Sequence, residues 1–278
     1  MDYKFLVLDI DGTATNSQKE VTPITREAVI RLQETGIPVA IASGRPTPGV
    51  APIADIFDFE KYGSYTLCYN GEKITNWKTK ECVYQKTLPI GLTKSLFQEA
   101  CHFNVGILTY SPDETKLFCG RCVDQYMELE SRICNLEIID CGDDFVKQAN
   151  FPTVKFIFTG DPADLEAIEP ILAEKYKHEA NIFRSEPFFL EVLPKNVEKA
   201  YCLSKLLPIL GIAREEMICC GDSYNDLTMI QYAGLGVAMA NAKKPVKDIA
   251  DFITLSNDED GVAHVIEKFF HVSPDNNI

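Results

Sequence analysis

The chain opens on an apolar run, Phe5-Leu6-Val7-Leu8, that stops at an acid, Asp9. A continuous apolar stretch without alternation predicts a strand buried on both faces of a parallel sheet. Thr22-Pro23 then reads as a helix start, with a capping hydroxyl followed by proline at the first helical position. Ile24, Ala28, Val29 and Leu32 predict the apolar face of that helix, and Gly36 ends it. A second apolar run at 37–43 (IPVAIAS) leads into Ser43-Gly44-Arg45. Strand, helix and strand on short links predict a βαβ unit with a right-handed crossover.

The last third of the chain follows the same pattern. Helical spacing covers 200–210, and MICCGD at 217–222 is a short apolar run ending in an acid. A helix over 226–233 closed by Gly234, a strand at 235–240, a helix at 243–250, a strand at 251–255 and a helix at 260–270 complete the series. Both ends of the chain therefore predict one α/β domain, a Rossmann-like parallel-sheet core formed by residues 1–84 and 190–278. The middle differs. Helical stretches at 92–103, 122–133 and 163–177 are mixed with strand-like stretches at 105–110, 115–119, 153–159 and 181–185. FFLEVL at 188–193 reads as the segment that leads the chain back into the first domain. An α+β domain at 85–189, inserted into the core, is the simplest account.

A length of 278 residues suits this two-domain reading. Charge removes several functions. With 27 basic and 41 acidic residues the formal net charge is −14, a poor footprint for nucleic acid or anionic membranes. No apolar run approaches the ~18 residues of a membrane span. The first run is also shorter than the ~7–15 residues of a signal-peptide core. Ten cysteines in a chain of this size suit reduced thiols and a cytoplasmic location. Cys119 and Cys122 form C-x-x-C, with Cys134 and Cys141 downstream, which raises a zinc or redox site. The second pair is spaced wrongly for a zinc ribbon, and His102, His178, His264 and His271 are scattered, so ordinary cysteines are the simpler reading. Cys68, Cys202, Cys219 and Cys220 lie in apolar surroundings and read as core. Trp77, Phe188 and Phe189 read as packing residues.

Three polar loops follow apolar strands: Asp9-Ile10-Asp11-Gly12-Thr13, Ser43-Gly44-Arg45, and Gly221-Asp222-Ser223-Tyr224-Asn225-Asp226. In a parallel α/β sheet, ligands sit at the carboxyl ends of the strands. If the loops converge, Asp9, Asp11, Asp222 and Asp226 share one pocket. Two carboxylates ~4 Å apart repel by about 1 kcal/mol in water and about 4 kcal/mol at an effective dielectric near 20. Such a cluster calls for a cation, and hard oxygen ligands without nearby His or Cys favour Mg²⁺.

With these loops the chain resembles the haloacid dehalogenase-like (HAD) phosphatase superfamily, in its Cof-type branch. DxDGT is Asp9 to Thr13, the Ser/Thr-Gly-Arg motif is Ser43-Gly44-Arg45, and GDxxND is Gly221 to Asp226. Asn70-Gly71, the Asn-Gly that usually precedes the inserted cap, also fits, as do GLGVAMANA and ADFITLSNDEDGV near the end. The resemblance covers the whole chain. It implies that Asp9 is the nucleophile, forming an aspartyl-phosphate, and that Asp11 is the acid and then the base. It implies Mg²⁺ held by Asp9, the backbone carbonyl of Asp11 and Asp222, with Ser43, Gly44, Gly12 and Asn225 around the phosphate. Asp226 would organise the shell behind the metal and the lysine. Arg45 would reach substrate or brace a loop, with bracing slightly ahead. The insertion would be a mobile cap that selects a small phosphorylated metabolite. A lysine would neutralise charge in the transition state.

Two lysines compete for that role, Lys195 and Lys199 in LEVLPKNVEKAYCL. The family's lysine follows a valine by two residues, which Val197-Glu198-Lys199 satisfies and Lys195 does not. Asn196 reads as a helix cap, placing Lys199 at the third helical position. Ala200 stands where the family usually has glycine, and Glu198 where a small polar residue is more usual. The implied function is Mg²⁺-dependent hydrolysis of small phosphomonoesters such as sugar phosphates or phosphorylated cofactors. A phosphomutase or phosphotransferase using the same aspartyl-phosphate is the alternative, followed by a non-catalytic phosphoryl-binding protein. A nucleotide-dependent dehydrogenase is disfavoured, because no G-x-G-x-x-G follows the first strand.

Overall fold

In the computed structural model, which describes residues 2–272, the apolar runs become strands with every residue buried: Phe5–Leu8, Val39–Ala42, Tyr65–Cys68 and Met217–Gly221. Contacts divide the chain into two units. One comprises the chain up to Gln85 and from Glu198 onward; the other is Lys86–Val197.

The first unit is built on an eight-stranded sheet. Its order is Phe252–Ile253, Leu235–Ala238, Met217–Gly221, Phe5–Leu8, Val39–Ala42, Tyr65–Cys68, Lys73–Asn76 and Cys82–Gln85. The first six strands are parallel, and the last two add an antiparallel edge. Leu8 is in register with both Cys220 and Ile41, so three strand ends are level and their loops leave from one edge. The strand order reverses beside Phe5–Leu8, which makes the crevice at that edge a switch point of the sheet.

Helix Pro23–Glu34 starts as its sequence predicts, with Thr22 Oγ1 accepting from the Thr25 amide at 3.1 Å. Its buried face is Thr25, Ala28, Val29, Leu32 and Gln33. Ile24 was expected there but is 58% exposed, because it sits in the first turn on the side away from that stripe. Helix Lys199–Leu210 starts later than expected. Glu198 is its N-terminal flank and Asn196 lies in a left-handed conformation, so Lys199 is the first helical residue, not the third. Lys199 then heads the buried stripe of Cys202, Leu203, Leu206 and Leu207. Cys68, Cys202, Cys219 and Cys220 are all core residues, and Trp77 is buried with its indole N–H on Asp55.

The second unit is α+β. Its six-stranded sheet has the order Ala180–Glu186, Phe189–Pro194, Phe156–Thr159, Gly106–Tyr110, Lys116–Gly120 and Glu137–Gly142. All neighbours are antiparallel except the last pair. Ile107, Phe156, Phe158, Leu190 and Val192 join helix residues such as Leu96, Ala100, Leu165 and Leu172 in one core. The expectation for 188–193 is corrected here. Phe189–Pro194 is a strand inside this sheet, paired on both sides. Glu186 opposite Phe189 closes a tight hairpin, and the 190/192 periodicity feeds this unit's core, so the chain leaves the unit only after Val197. Cys119 is buried, which pushes its thiol up to about 12, whereas Cys122 is exposed. Among the described residues no helix is long and apolar enough to cross a membrane.

Candidate active site

Asp9 follows the first strand directly, and its amide donates to the Cys220 carbonyl at 3.0 Å, tying the loop to the neighbouring strand. Its side chain is buried at 8% exposure. The Lys199 ammonium, fully buried at the start of its helix, donates to Asp9 Oδ1 at 2.7 Å and to Asp226 Oδ1 at 2.6 Å. The other oxygen of Asp226 accepts the amides of Asp222 and Ser223, both at 2.9 Å. Asp226 thus fixes the loop that carries Asp222 while holding the lysine.

Asp9, Asp222 and Asp226 bring carboxylate oxygens within 4.8 Å of one another. Three carboxylates face one ammonium, and burial makes the imbalance costly. Burial pushes the Asp9 carboxyl up to about 7; Lys199 opposes this, and Asp226 and Asp222 reinforce it. Burial, reinforced by Asp226, pushes Asp222 up to about 6. Burial alone would lower the Lys199 ammonium, but Asp9 and Asp226 outweigh it and hold the proton more tightly. Gly12 has a φ of +82°, and a Cβ there would lie 2.6 Å from Asp222 Oδ2, so the two acid loops touch where only glycine fits.

Asp11 faces elsewhere. Arg45 grips its carboxylate as a fork, Nε to Oδ2 at 3.0 Å and Nη2 to Oδ1 at 2.8 Å, and Lys19 adds a bond at 2.8 Å. Partial burial pushes this carboxyl up, but the hydrogen bonds from Arg45 and Lys19 prevail and hold it below its ordinary value. Arg45 also reaches the Gly49 carbonyl at 3.2 Å. Its bracing is therefore of the acid itself. Lys19 carries no sequence motif and was not anticipated. Buried Ser43 accepts the Arg45 amide at 3.2 Å. A Cβ on Gly44 would stand 3.2 Å from the Asn70 amide group, and Asn225 Nδ2 donates to Asn70 Oδ1 at 3.2 Å. Asn70, known from sequence only as a motif position, thus joins the second and third loops.

A cleft of about 310 Å³ opens here, lined by Asp9, Asp11, Ser43, Gly44, Arg45, Asp222, Ser223 and Asn225. The structure brings the predicted Asp9, Asp11, Ser43, Gly44, Asp222 and Asn225 to one place, with Lys199 bonded to Asp9 and Asp226, and Gly12 against Asp222. Lys195 belongs to the other unit. The acidic group suits a hard divalent cation: all donors are oxygens, and both oxygens of Asp226 are already engaged, which leaves Asp9 and Asp222 as the carboxylates to face it. The Asp11 carboxylate lies outside that group; its expected contribution was the backbone carbonyl.

These carboxyl shifts predict a pH dependence. Without metal, Asp9 and Asp222 bind protons more tightly in the folded chain than in the unfolded one. The stability they contribute is full below about pH 4 and is lost as pH rises through about 6 to 7. A cation must displace those protons. Mg²⁺ is therefore expected to raise the melting temperature more at about pH 8 than at about pH 5.5. Differential scanning fluorimetry at the two pH values checks this, and a shift independent of pH would contradict it.

Comparison with known proteins agrees with this architecture. Residues 6–266 match the family of haloacid dehalogenase-like hydrolases. YxeH of Bacillus subtilis (strain 168), a phosphatase by name only, is 32% identical over 268 residues, 96% of this chain and 98% of its own. The 5-amino-6-(5-phospho-D-ribitylamino)uracil phosphatase YcsE of the same organism is 29% identical over 270 residues, 97% of this chain and 96% of its own. A crystal structure of a haloacid dehalogenase-like hydrolase from Bacteroides thetaiotaomicron superposes with a TM-score of 0.88 at 43% identity, covering 97% of this chain and all of that one. Likeness that runs the length of both chains, and spans the loops that converge on Asp9, makes this chain a member of the haloacid dehalogenase-like hydrolase family, in its Cof-type branch.

Proposed function

We propose that this hydrolase cleaves small phosphomonoesters by way of an aspartyl-phosphate on Asp9, with Mg²⁺ as its metal. Phosphomonoester hydrolysis follows from the family and from relatives named as phosphatases. The observation that carries the mechanism is the buried Asp9 carboxylate at the strand end, held by Lys199 at 2.7 Å and opening onto the same cleft as Asp11.

A carboxylate attacks a phosphate dianion only where the mutual repulsion is cancelled. Lys199 supplies one positive charge to Asp9 and to the incoming oxygens. Asp9, the Asp11 carbonyl and Asp222 would hold the cation, which when bound screens the phosphoryl oxygens from the carboxylates. Asp9 attacks phosphorus, the ester P–O bond breaks, and Asp11, once it has taken up a proton against the pull of Arg45 and Lys19, delivers that proton to the leaving oxygen. Water then attacks the phosphorus, Asp11 takes its proton, and the bond to Asp9 breaks to release inorganic phosphate. Ser43 and the loop amides near Gly12 and Gly44 orient the phosphoryl group. The phosphatase names of the relatives favour hydrolysis over transfer to a second substrate. The insertion is assigned the choice of leaving group, because it is the part of the chain outside the catalytic loops.

The test is phosphate release from a panel of sugar phosphates, nucleotides and phosphorylated cofactors, after EDTA treatment and with Mg²⁺ restored. No release from any member, or full release without metal, would remove the reading. Repeating the panel on a chain whose residues 86–197 are replaced by a short linker tests the insertion; an unchanged substrate ranking would refute its role. The grip of Arg45 on Asp11 gives a sharper expectation. Loss of that grip lets the Asp11 carboxyl hold a proton more readily but no longer fixes its position, and this matters for substrates whose leaving group needs a proton. Arg45→Ala is expected to lower kcat/KM for alkyl phosphates by roughly 10–10²-fold while changing p-nitrophenyl phosphate little. Equal losses on both would show that Arg45 acts on the phosphate instead.

A further inference from the structure

We propose that Asn241 and Asn257 are positioning residues of this site, two side-chain amides that lock the backbone of the Asp9 loop against the Asp222 loop. The turn at 239–243 joins the strand Leu235–Ala238 to the helix Lys244–Ile249. Its backbone holds one acid loop: the Met239 amide donates to the Gly221 carbonyl at 3.1 Å and the Lys243 amide to the Asp222 carbonyl at 2.8 Å. Its side chain holds the other, because Asn241 Nδ2 donates to the Gly12 carbonyl at 2.8 Å. One turn therefore spans both loops.

Asn257 completes the bracket. Its backbone N–H donates to Asn241 Oδ1 at 3.0 Å, which orients the Asn241 side chain, and its side-chain Nδ2 donates to the Thr15 carbonyl at 2.9 Å. Thr15 in turn sends both its amide, at 3.0 Å, and its hydroxyl, at 2.9 Å, to the Ile10 carbonyl. The carbonyls of Ile10, Gly12 and Thr15 are each held by an internal donor; that of Asp11 is not among them. The two amides thus fix the Gly12 and Thr15 carbonyls, and through Thr15 the Ile10 carbonyl, so the loop is held both before and after Asp11. The contact they guard is tight, since a Cβ at Gly12 would approach Asp222 Oδ2 to 2.6 Å. Neither asparagine lines the cleft, so their effect on chemistry passes through the loops.

This inference rests on the reading of Asp9, the Asp11 carbonyl and Asp222 as cation ligands. Groups that orient metal ligands typically set affinity by 10–100-fold. Titration calorimetry of Mg²⁺ into metal-free protein tests the proposal, with melting curves taken with and without Mg²⁺. Asn241→Ala is expected to weaken Mg²⁺ binding by about 10-fold or more, with metal-free melting unchanged because Asn241 is exposed. Asn241→Asp, which sets a carboxylate oxygen against the Gly12 carbonyl, is expected to do at least as much. Asn257→Ala keeps the backbone N–H that orients Asn241 and loses only the bond to the Thr15 carbonyl, so it should weaken binding less than Asn241→Ala, and the double variant should exceed either. A merely structural role would instead lower metal-free melting and leave the Mg²⁺-induced rise intact. Mg²⁺ affinity within about twofold of wild type in the Asn241 variants would overturn the proposal. A wild-type protein that binds no Mg²⁺ would remove the metal reading itself, which separates the two failures.

Discussion

Asp9→Asn is expected to lower turnover by at least about 10⁴-fold, the scale seen when a residue of a concerted catalytic set is removed. The amide keeps the shape of the side chain but gives up the nucleophilic oxygen. The fold should not suffer. Lys199 retains Asp226 at 2.6 Å, and the substitution deletes a carboxyl whose ionisation burial opposes. Metal-free Asp9→Asn protein is therefore expected to melt no lower than wild type at about pH 8, where wild-type Asp9 carries its charge. Mass spectrometry of acid-quenched wild type should find one phosphoryl group on the peptide containing Asp9, and none in the variant. Full activity in the variant would sink the mechanism.

Lys199→Ala should damage both chemistry and stability. Loss of one preorganised charge at the reacting centre predicts a fall in kcat of about 10²–10³-fold. Removing one member of a buried ion pair leaves Asp9 and Asp226 uncompensated, a loss of about 3–5 kcal/mol. The pH dependence separates the two effects. Without the ammonium the Asp9 carboxyl holds its proton to still higher pH, so the stability deficit should be large at about pH 8 and shrink toward about pH 5.5. Lys195→Ala is expected to stay within about threefold of wild-type kcat, as for an ordinary surface charge. The reverse ranking would place the phosphoryl-facing lysine four residues earlier in the chain.

The core strands were legible because a strand buried on both faces needs an uninterrupted apolar run, and FLVL, VAIA and MICCG have no other simple use. Asp9 and Asp222 were legible because an acid directly after such a run is carried to the ligand-binding edge. Lys199 was separated from Lys195 by its spacing from Val197, although the helix start was misplaced. Asn196 resembles a cap in composition, yet its backbone is left-handed and the helix waits for Lys199. The strand Phe189–Pro194 was misassigned for a related reason. Its apolar run suits either sheet, and only the hairpin with Ala180–Glu186 decides between them. The grip of Arg45 and Lys19 on Asp11 left no local trace, because Arg45 lies 34 residues away and only tertiary structure pairs them. The same holds for Asn70 and Asn225, which meet across 155 residues.

The placement of Phe5–Leu8 between Val39–Ala42 and Met217–Gly221 also sets a timetable for synthesis. Asp9 leaves the ribosome 190 residues ahead of its ammonium partner. At about 5–20 residues per second that interval lasts roughly 10–40 s. Throughout it the first strand lacks one of its two neighbours, and the nucleophile has neither Lys199 nor the Asp222 loop. A nascent chain of this kind is catalytically silent until its last third emerges. Its open strand edge makes the waiting chain, rather than the finished enzyme, the form most exposed to aggregation.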